Sequence, residues 1–170
     1  MARLSVRRLL AVALLAGLCG SAAARPHERV LHGTVTHVSD GDTLWIRTAA
    51  ADRPPVKLRL AGIDAPERCQ AHGEASRAAL QARLMGRPVA AFTQAVDVHG
   101  RVVARVQERD TDVAAWLVAQ GHAWSPGYRG RPGLYARQEA SARQGRKGLF
   151  ADPAAEPPKE FRRRHGPCPR

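Results

Sequence analysis

The chain has 170 residues, with 27 lysines and arginines against 15 aspartates and glutamates and a formal net charge of +12. With 44% hydrophobic and 25% charged residues, it has enough apolar side chain for one packed domain, which excludes a disordered chain. The positive excess favours polyanionic partners, and three cysteines without a CxxC pair exclude a structural zinc cluster.

At the amino end, Arg3, Arg7 and Arg8 precede a short apolar run, residues 9–18, and small residues ending in Ala22-Ala23-Ala24. This is the pattern of a secretory signal over residues 1–24. The run is too short to span a bilayer, and nothing later in the sequence resembles a membrane helix. Leu18 stands where a lipoprotein signal wants a small residue, so Cys19 is not expected to carry lipid. Cleavage after Ala24 is expected to release a soluble, secreted or periplasmic monomer. Three arginines and no acids leave with the signal, so the formal charge falls from +12 to +9. Cys69 and Cys168 remain, and in an oxidising compartment a pair of cysteines is expected to form a disulfide.

Residues 30–38 are rich in β-branched side chains and run into the turn Asp40-Gly41-Asp42. Leu44 and Ile46 then alternate with Thr43, Trp45 and Arg47. After the turn-forming ADRPP, Val56, Leu58 and Leu60 share one face and Lys57 and Arg59 the other. These three runs predict strands in meander order. HGEASRAALQARLMG places Ala75, Ala79, Leu80 and Leu84 at helical spacing, with Gly86 as the stop. PVAAFTQAV and RVVARVQ predict two further strands around the turn DVHG. Asp112 is placed to cap a short helix through Val113, Trp116 and Leu117 that ends at Gly121, with Trp116 packed in the core. The basic loop SPGYRGRPG leads to a last helix over 134–148, and residues 153–170 form a basic, Pro-rich tail. The expected fold class is α+β, mainly β: a five-stranded barrel of the oligonucleotide-binding (OB) type with three helices, in one domain over 25–152.

Asp42 and Asp64 sit at strand ends, far apart in sequence, and offer the oxygen donors that hard divalent cations prefer. No thiolate or imidazole is needed, which points to calcium or magnesium. Arg59, on the polar face of its strand, and Arg101, which opens the fifth strand, can reach the same place, and Glu67 is a spare carboxylate. A cation, two planar donors and a free carboxylate suit phosphodiester hydrolysis, because negative charge gathers on the phosphoryl oxygens in the transition state. Taken singly, each arginine reads as a surface charge and DGD as a solvated turn.

The order DGDT, RLAGIDAPE, DVHGR and ARQEASARQGRKGLF, over roughly residues 30–152, resembles the thermonuclease, or staphylococcal nuclease-like, family. The resemblance implies an OB barrel, calcium (Ca2+) as cofactor, single-stranded DNA and RNA as substrates, and products ending in 3′-phosphate. It matches the metal aspartates to Asp42 and Asp64, with Asp40 as an outer-shell acid. It matches the catalytic arginines to Arg59 and Arg101 and the catalytic glutamate to Glu67. Ala65 replaces a threonine whose backbone carbonyl binds the metal, and a carbonyl ligand survives that change. His99 falls where the family grips a terminal phosphate, and Trp124 and Tyr128 fall where it places stacking tyrosines. Two rivals stay open at this point: an OB module that binds nucleic acid without cleaving it, and an exported protein that binds acidic glycan or envelope surface. The second explains the charge and leaves the carboxylates unexplained.

Overall fold

The computed structural model describes residues 29–50 and 52–169, so the segment read as an export signal lies outside the described residues. Strands β1 (Val30–Asp40), β2 (Thr43–Thr48) and β3 (Val56–Leu60) form the expected meander and are followed by helix α1 (Gly73–Leu84). Next come β4 (Pro88–Val96), β5 (Val102–Glu108) and a two-residue β6 (Thr111–Asp112) that leads into α2 (Val113–Ala119). Helix α3 (Ala136–Gln144), a 3-10 turn (Gly148–Ala151) and α4 (Pro158–His165) complete the described chain.

The sheet order is β3-β2-β1-β4-β5-β6, and a parallel pairing of β3 with β5 closes it into a barrel. Closure needs a bent strand. Irregularities in the register of β1 at Val35/His37 and at Val38/Asp40 supply the bend, so its first half pairs with β4 and its second half with β2. Leu44, Ile46, Leu58 and Leu60 point inward as their alternation predicts, and Leu80 and Leu84 of α1 join them in the core. Each such side chain contributes about 1.5–3 kcal/mol by leaving water. Asp112 caps α2 as expected, accepting from the Ala115 N–H at 3.0 Å.

Two expectations are corrected and one is refined. The contact face of α1 is formed by Gly73, Ser76, Leu80 and Leu84, whereas Ala75 is exposed: Gly73 leaves room for the backbone of the Glu67 turn, and Ser76 faces inward to donate its hydroxyl to the His122 carbonyl at 2.6 Å. Trp116 packs against the core as expected but is only partly buried, its outer side covered by the Arg83 guanidinium 4.6 Å from the ring centre. The charged tail is not merely an extension: it forms a fourth helix, α4, started by Pro158 in its first turn. Among the described residues no helix is long and apolar enough to cross a membrane.

His72 and His122 stack with ring centroids 5.7 Å apart, and His72 Nε2 and His122 Nδ1 are buried without a hydrogen-bond partner among the described residues. Burial holds both imidazoles below their ordinary 6.5, and the charge of His72 lowers His122 further. A histidine depressed in the folded state contributes stability that is whole above its unfolded value and is lost as pH falls through the folded one. Replacing His122 by phenylalanine is therefore expected to flatten the fall in Tm between about pH 7 and about pH 5. Thermal unfolding across that range checks this, and a fall as steep as in the parent chain would count against it.

Candidate active site

The Asp40-Gly41-Asp42 turn joins β1 to β2 and is pressed against α1. A Cβ on Gly41 would lie 2.7 Å from the Cβ atoms of both Ala65 and Ser76, so only glycine allows the approach. Asp40 Oδ1 accepts the Asp42 N–H at 3.1 Å, which fixes the turn. The Asp42 carboxylate, 6% exposed, accepts from the Thr43 hydroxyl at 3.0 Å and from the Ala65 N–H at 3.0 Å. Across the β2–β3 ladder Thr43 stands opposite Arg59. Arg59 Nη1 lies 2.6 Å from Asp42 Oδ2 and Nη2 lies 3.1 Å from Asp64 Oδ1, and the Ile63 carbonyl accepts from Nη1 at 3.1 Å.

The barrel-closing pair brings in the other arginine. Leu58 of β3 stands beside Val102 of β5, so Arg101, immediately before β5, enters at the same edge as Arg59. Asp97 holds it there: Asp97 Oδ1 accepts the N–H groups of His99 and Arg101 at 2.9 Å, and Oδ2 accepts from Arg101 Nε at 2.7 Å. Partial burial pushes the Asp97 carboxyl up, but these bonds and the charge of Arg101 outweigh it and hold the group at about 2. Among the described residues the two Nη nitrogens of Arg101 have no protein partner, which leaves a planar fork for an anion.

Glu67 opens the turn before α1. Its N–H donates to Gln70 Oε1 at 3.1 Å, its carbonyl accepts the Gln70 N–H at 2.9 Å, and the turn passes so close to α1 that a Cβ on Gly73 would lie 1.9 Å from the Glu67 carbonyl oxygen. Arg59, Glu67, Arg101, Asp42, Asp64 and Ala65, together with Asp40 and His99, all line one cleft of about 610 Å³. A wider groove of about 750 Å³ along β1 and β4 is lined by no carboxylate.

Electrostatics sets this cleft apart. Burial pushes the Asp42 carboxyl up to about 6, Arg59 pulls it back, and the nearby Asp40 raises it again. Burial also raises Asp64, against hydrogen bonds from Arg162 and the charges of Arg162 and Arg59. Buried carboxylates held above their ordinary range gain from a bound cation, which restores the stabilisation that water no longer gives. The donor set of carboxylate and carbonyl oxygens suits a hard divalent ion. Among the described residues no three or more acidic, histidine or cysteine side chains are placed to hold a metal ion together. A calcium ion would therefore draw much of its shell of six to eight oxygens, in the general coordination chemistry of that ion, from water and substrate.

The aromatic expectations divide. Trp124 is corrected as a stacking platform: it is 6% exposed, with its ring set edge-on to Phe150 at 6.0 Å in a small second core with Ala142 and Leu149. Its contribution is through the backbone, since Trp124 and Asp64 exchange N–H to carbonyl bonds at 3.0 Å and so pin the segment after β3 that carries Asp64. Tyr128 is 71% exposed on the basic loop, with the Arg129 guanidinium 5.2 Å from its ring centre, and lies outside the cleft lining. Cys69 and Cys168 are joined as a disulfide. Three cleft-side residues escaped the sequence reading: Lys57, Asp97 and Arg162. Asp97 had a signal, because an aspartate before a glycine turn commonly bonds the backbone two residues on. Arg162, in an RRR run, had none.

The closed barrel and the cleft define an OB-type protein whose acids and arginines meet at one end of the sheet. Residues 57–152 match the family model described as staphylococcal nuclease homologue. The chain is similar to Protein ParB of Escherichia coli, at 36% identity over 96% of this chain and 95% of that protein. It is also similar to the Micrococcal nuclease of Shigella flexneri, at 34% identity over 77% of this chain and 80% of that protein. An uncharacterized endonuclease of Escherichia coli is 34% identical over 79% of this chain and 86% of its own length. The chain belongs to the staphylococcal nuclease family and is a nuclease, a phosphodiester hydrolase.

Proposed function

We propose that this protein is a calcium-dependent, sugar-nonspecific nuclease that prefers single strands of DNA and RNA and leaves 3′-phosphate ends. The observation that carries the reading is the convergence of Asp42, Asp64, Glu67, Arg59 and Arg101, from separate stretches of chain, on one cleft. Asp42, Asp64 and the Ala65 carbonyl are the residues that would hold calcium, with Asp40 outside them. When bound, the ion supplies Lewis acidity toward the phosphate and acidifies water.

The rest of the chemistry belongs to the chain. Glu67 takes the proton of the attacking water as the new phosphorus–oxygen bond forms and the bond to the 5′-oxygen breaks, and the departing oxygen is reprotonated from solvent. Arg101 presents its unpaired fork to the phosphoryl oxygens and stabilises charge as it develops. Arg59 holds both metal-side aspartates in register while adding its own positive charge. His99 and the exposed Tyr128 are the candidates for gripping phosphate and stacking bases outside the centre. The resulting protein acts as a monomer and is exported by its amino-terminal signal, which amino-terminal sequencing of exported material checks by reading Arg25 first.

The decisive assay incubates the purified protein with single-stranded DNA and with RNA, in calcium or in excess chelator. Cleavage of both substrates in calcium alone is expected, and Asp42→Ala is expected to lose at least about 100-fold at ordinary calcium. Undiminished cleavage in chelator would overturn the calcium mechanism.

A further inference from the structure

The family match ends at residue 152, yet the cleft is completed by a side chain ten positions beyond it. Arg162, on α4, places Nη1 2.5 Å from Glu67 Oε1 and Nη2 3.1 Å from Asp64 Oδ2. Asp64 is thereby held between two guanidinium groups, Arg59 on Oδ1 and Arg162 on Oδ2, with Arg162 Nη1 also 3.4 Å from Oδ1. Glu67 has no other side-chain ion pair among the described residues.

The helix that delivers Arg162 is fastened to the turn that carries Glu67. Gln70 uses both ends of its amide for this: Oε1 accepts the Glu67 N–H, and Nε2 donates to the Glu156 carbonyl at 2.6 Å just before α4. Beyond the helix, Cys168 is bonded to Cys69, and the Cys69 N–H lies 3.0 Å from Cys168 Sγ. Two anchors, one on each side of α4 in sequence, thus bind the tail to a single short turn. A tail that merely covered the barrel would gain nothing from meeting that turn twice.

We propose that Arg162 is a positioning residue of the nuclease centre, holding the Glu67 carboxylate in place for proton abstraction, and that the Cys69–Cys168 disulfide is the tether that keeps it there. The proposal rests on the nuclease reading above and adds to it a part that the matched family segment does not contain. Its physical basis is geometric: a carboxylate that must meet one water in one orientation gains from a partner that fixes its other oxygen, and loss of such an outer partner commonly costs about 10- to 100-fold.

The test compares Arg162→Ala, Arg162→Lys, Arg163→Ala and the double variant Cys69→Ser/Cys168→Ser with the parent chain. Arg163→Ala removes the same charge from the neighbouring, exposed position of α4 and is expected to leave activity unchanged. Arg162→Ala is expected to lower kcat about 10- to 100-fold with KM within about threefold, and Arg162→Lys to recover part of the loss. Binding of a fluorescent single-stranded oligonucleotide in chelator is expected to stay within about threefold for Arg162→Ala, because phosphate attraction is spread over the basic surface. The double cysteine variant is expected to show a similar loss of kcat, and adding Arg162→Ala to it to cost little more, since both changes remove one interaction. Should the cysteine variant fail to fold, the three arginine variants decide the matter, with Tm confirming their integrity. A parent chain that cleaves while Arg162→Ala equals or exceeds it overturns the proposal alone. A parent chain that cleaves nothing overturns the nuclease reading and the proposal with it.

Discussion

Arg101→Lys is expected to lower kcat about 100- to 1,000-fold without measurable loss of stability. The substitution keeps the charge and removes the planar fork, so it separates general attraction to phosphate from recognition of the transition state. In the structure only Nε of Arg101 is engaged, by Asp97, while both Nη nitrogens are without protein partners among the described residues. Arg59→Lys differs in kind. Arg59 joins Asp42, Asp64 and the Ile63 carbonyl at once, and a single ammonium cannot reach all three. It is expected to lose a comparable factor in rate and about 1–3 kcal/mol of stability as well. Single-turnover cleavage and denaturant unfolding measure the two quantities. Near-normal rates in both lysine variants would remove the planar guanidinium contacts from the mechanism, and an Arg101→Lys protein that is also unstable would remove the contrast between the two arginines.

Gly73→Ala is expected to cost at least about 2 kcal/mol and to lower cleavage about 100-fold or more, although position 73 touches neither substrate nor cation. The added Cβ would sit 1.9 Å from the Glu67 carbonyl oxygen and 2.7 Å from its carbon, both backbone atoms with no freedom to swing away. Relief requires the turn to move off α1, and the turn carries Glu67, Gln70 and Cys69 with it. Gly86→Ala is the control. Gly86 has φ +72 and open space, with no atom within 4 Å of where a Cβ would lie, so it isolates the strain of a left-handed backbone, about 1–2 kcal/mol. Thermal unfolding and kcat for both variants separate the cases. Equal losses of stability, with cleavage intact in Gly73→Ala, would show that the turn need not be held tightly.

Local pattern in the sequence is enough to assign the strands and to single out the carboxylates and the two arginines as candidates, though not to bring them together. Leu44 and Ile46, then Leu58 and Leu60, alternate with polar residues at the period of a pleated strand, and that period alone assigns their inward face. The residues of DGDT, RLAGIDAPE and DVHGR were legible as a site because the motifs come in one order along the chain. Three things were decided only in three dimensions. Trp124 became core because Phe150, Ala142 and Leu149 lie around it, a burial made by distant neighbours that no local window contains. The contact face of α1 turned toward Gly73 and Ser76 because what mattered there was space for the Glu67 turn and for Gly41, not apolarity. Arg162 joined the centre because a disulfide and one glutamine amide bind the tail to the Glu67 turn, over a sequence separation of 99 residues between the two cysteines. Periodicity reports which way a side chain faces its own element; which foreign atoms it meets is fixed by chain closure, and the parallel pairing of β3 with β5 that sets Arg59 beside Arg101 is itself such a closure.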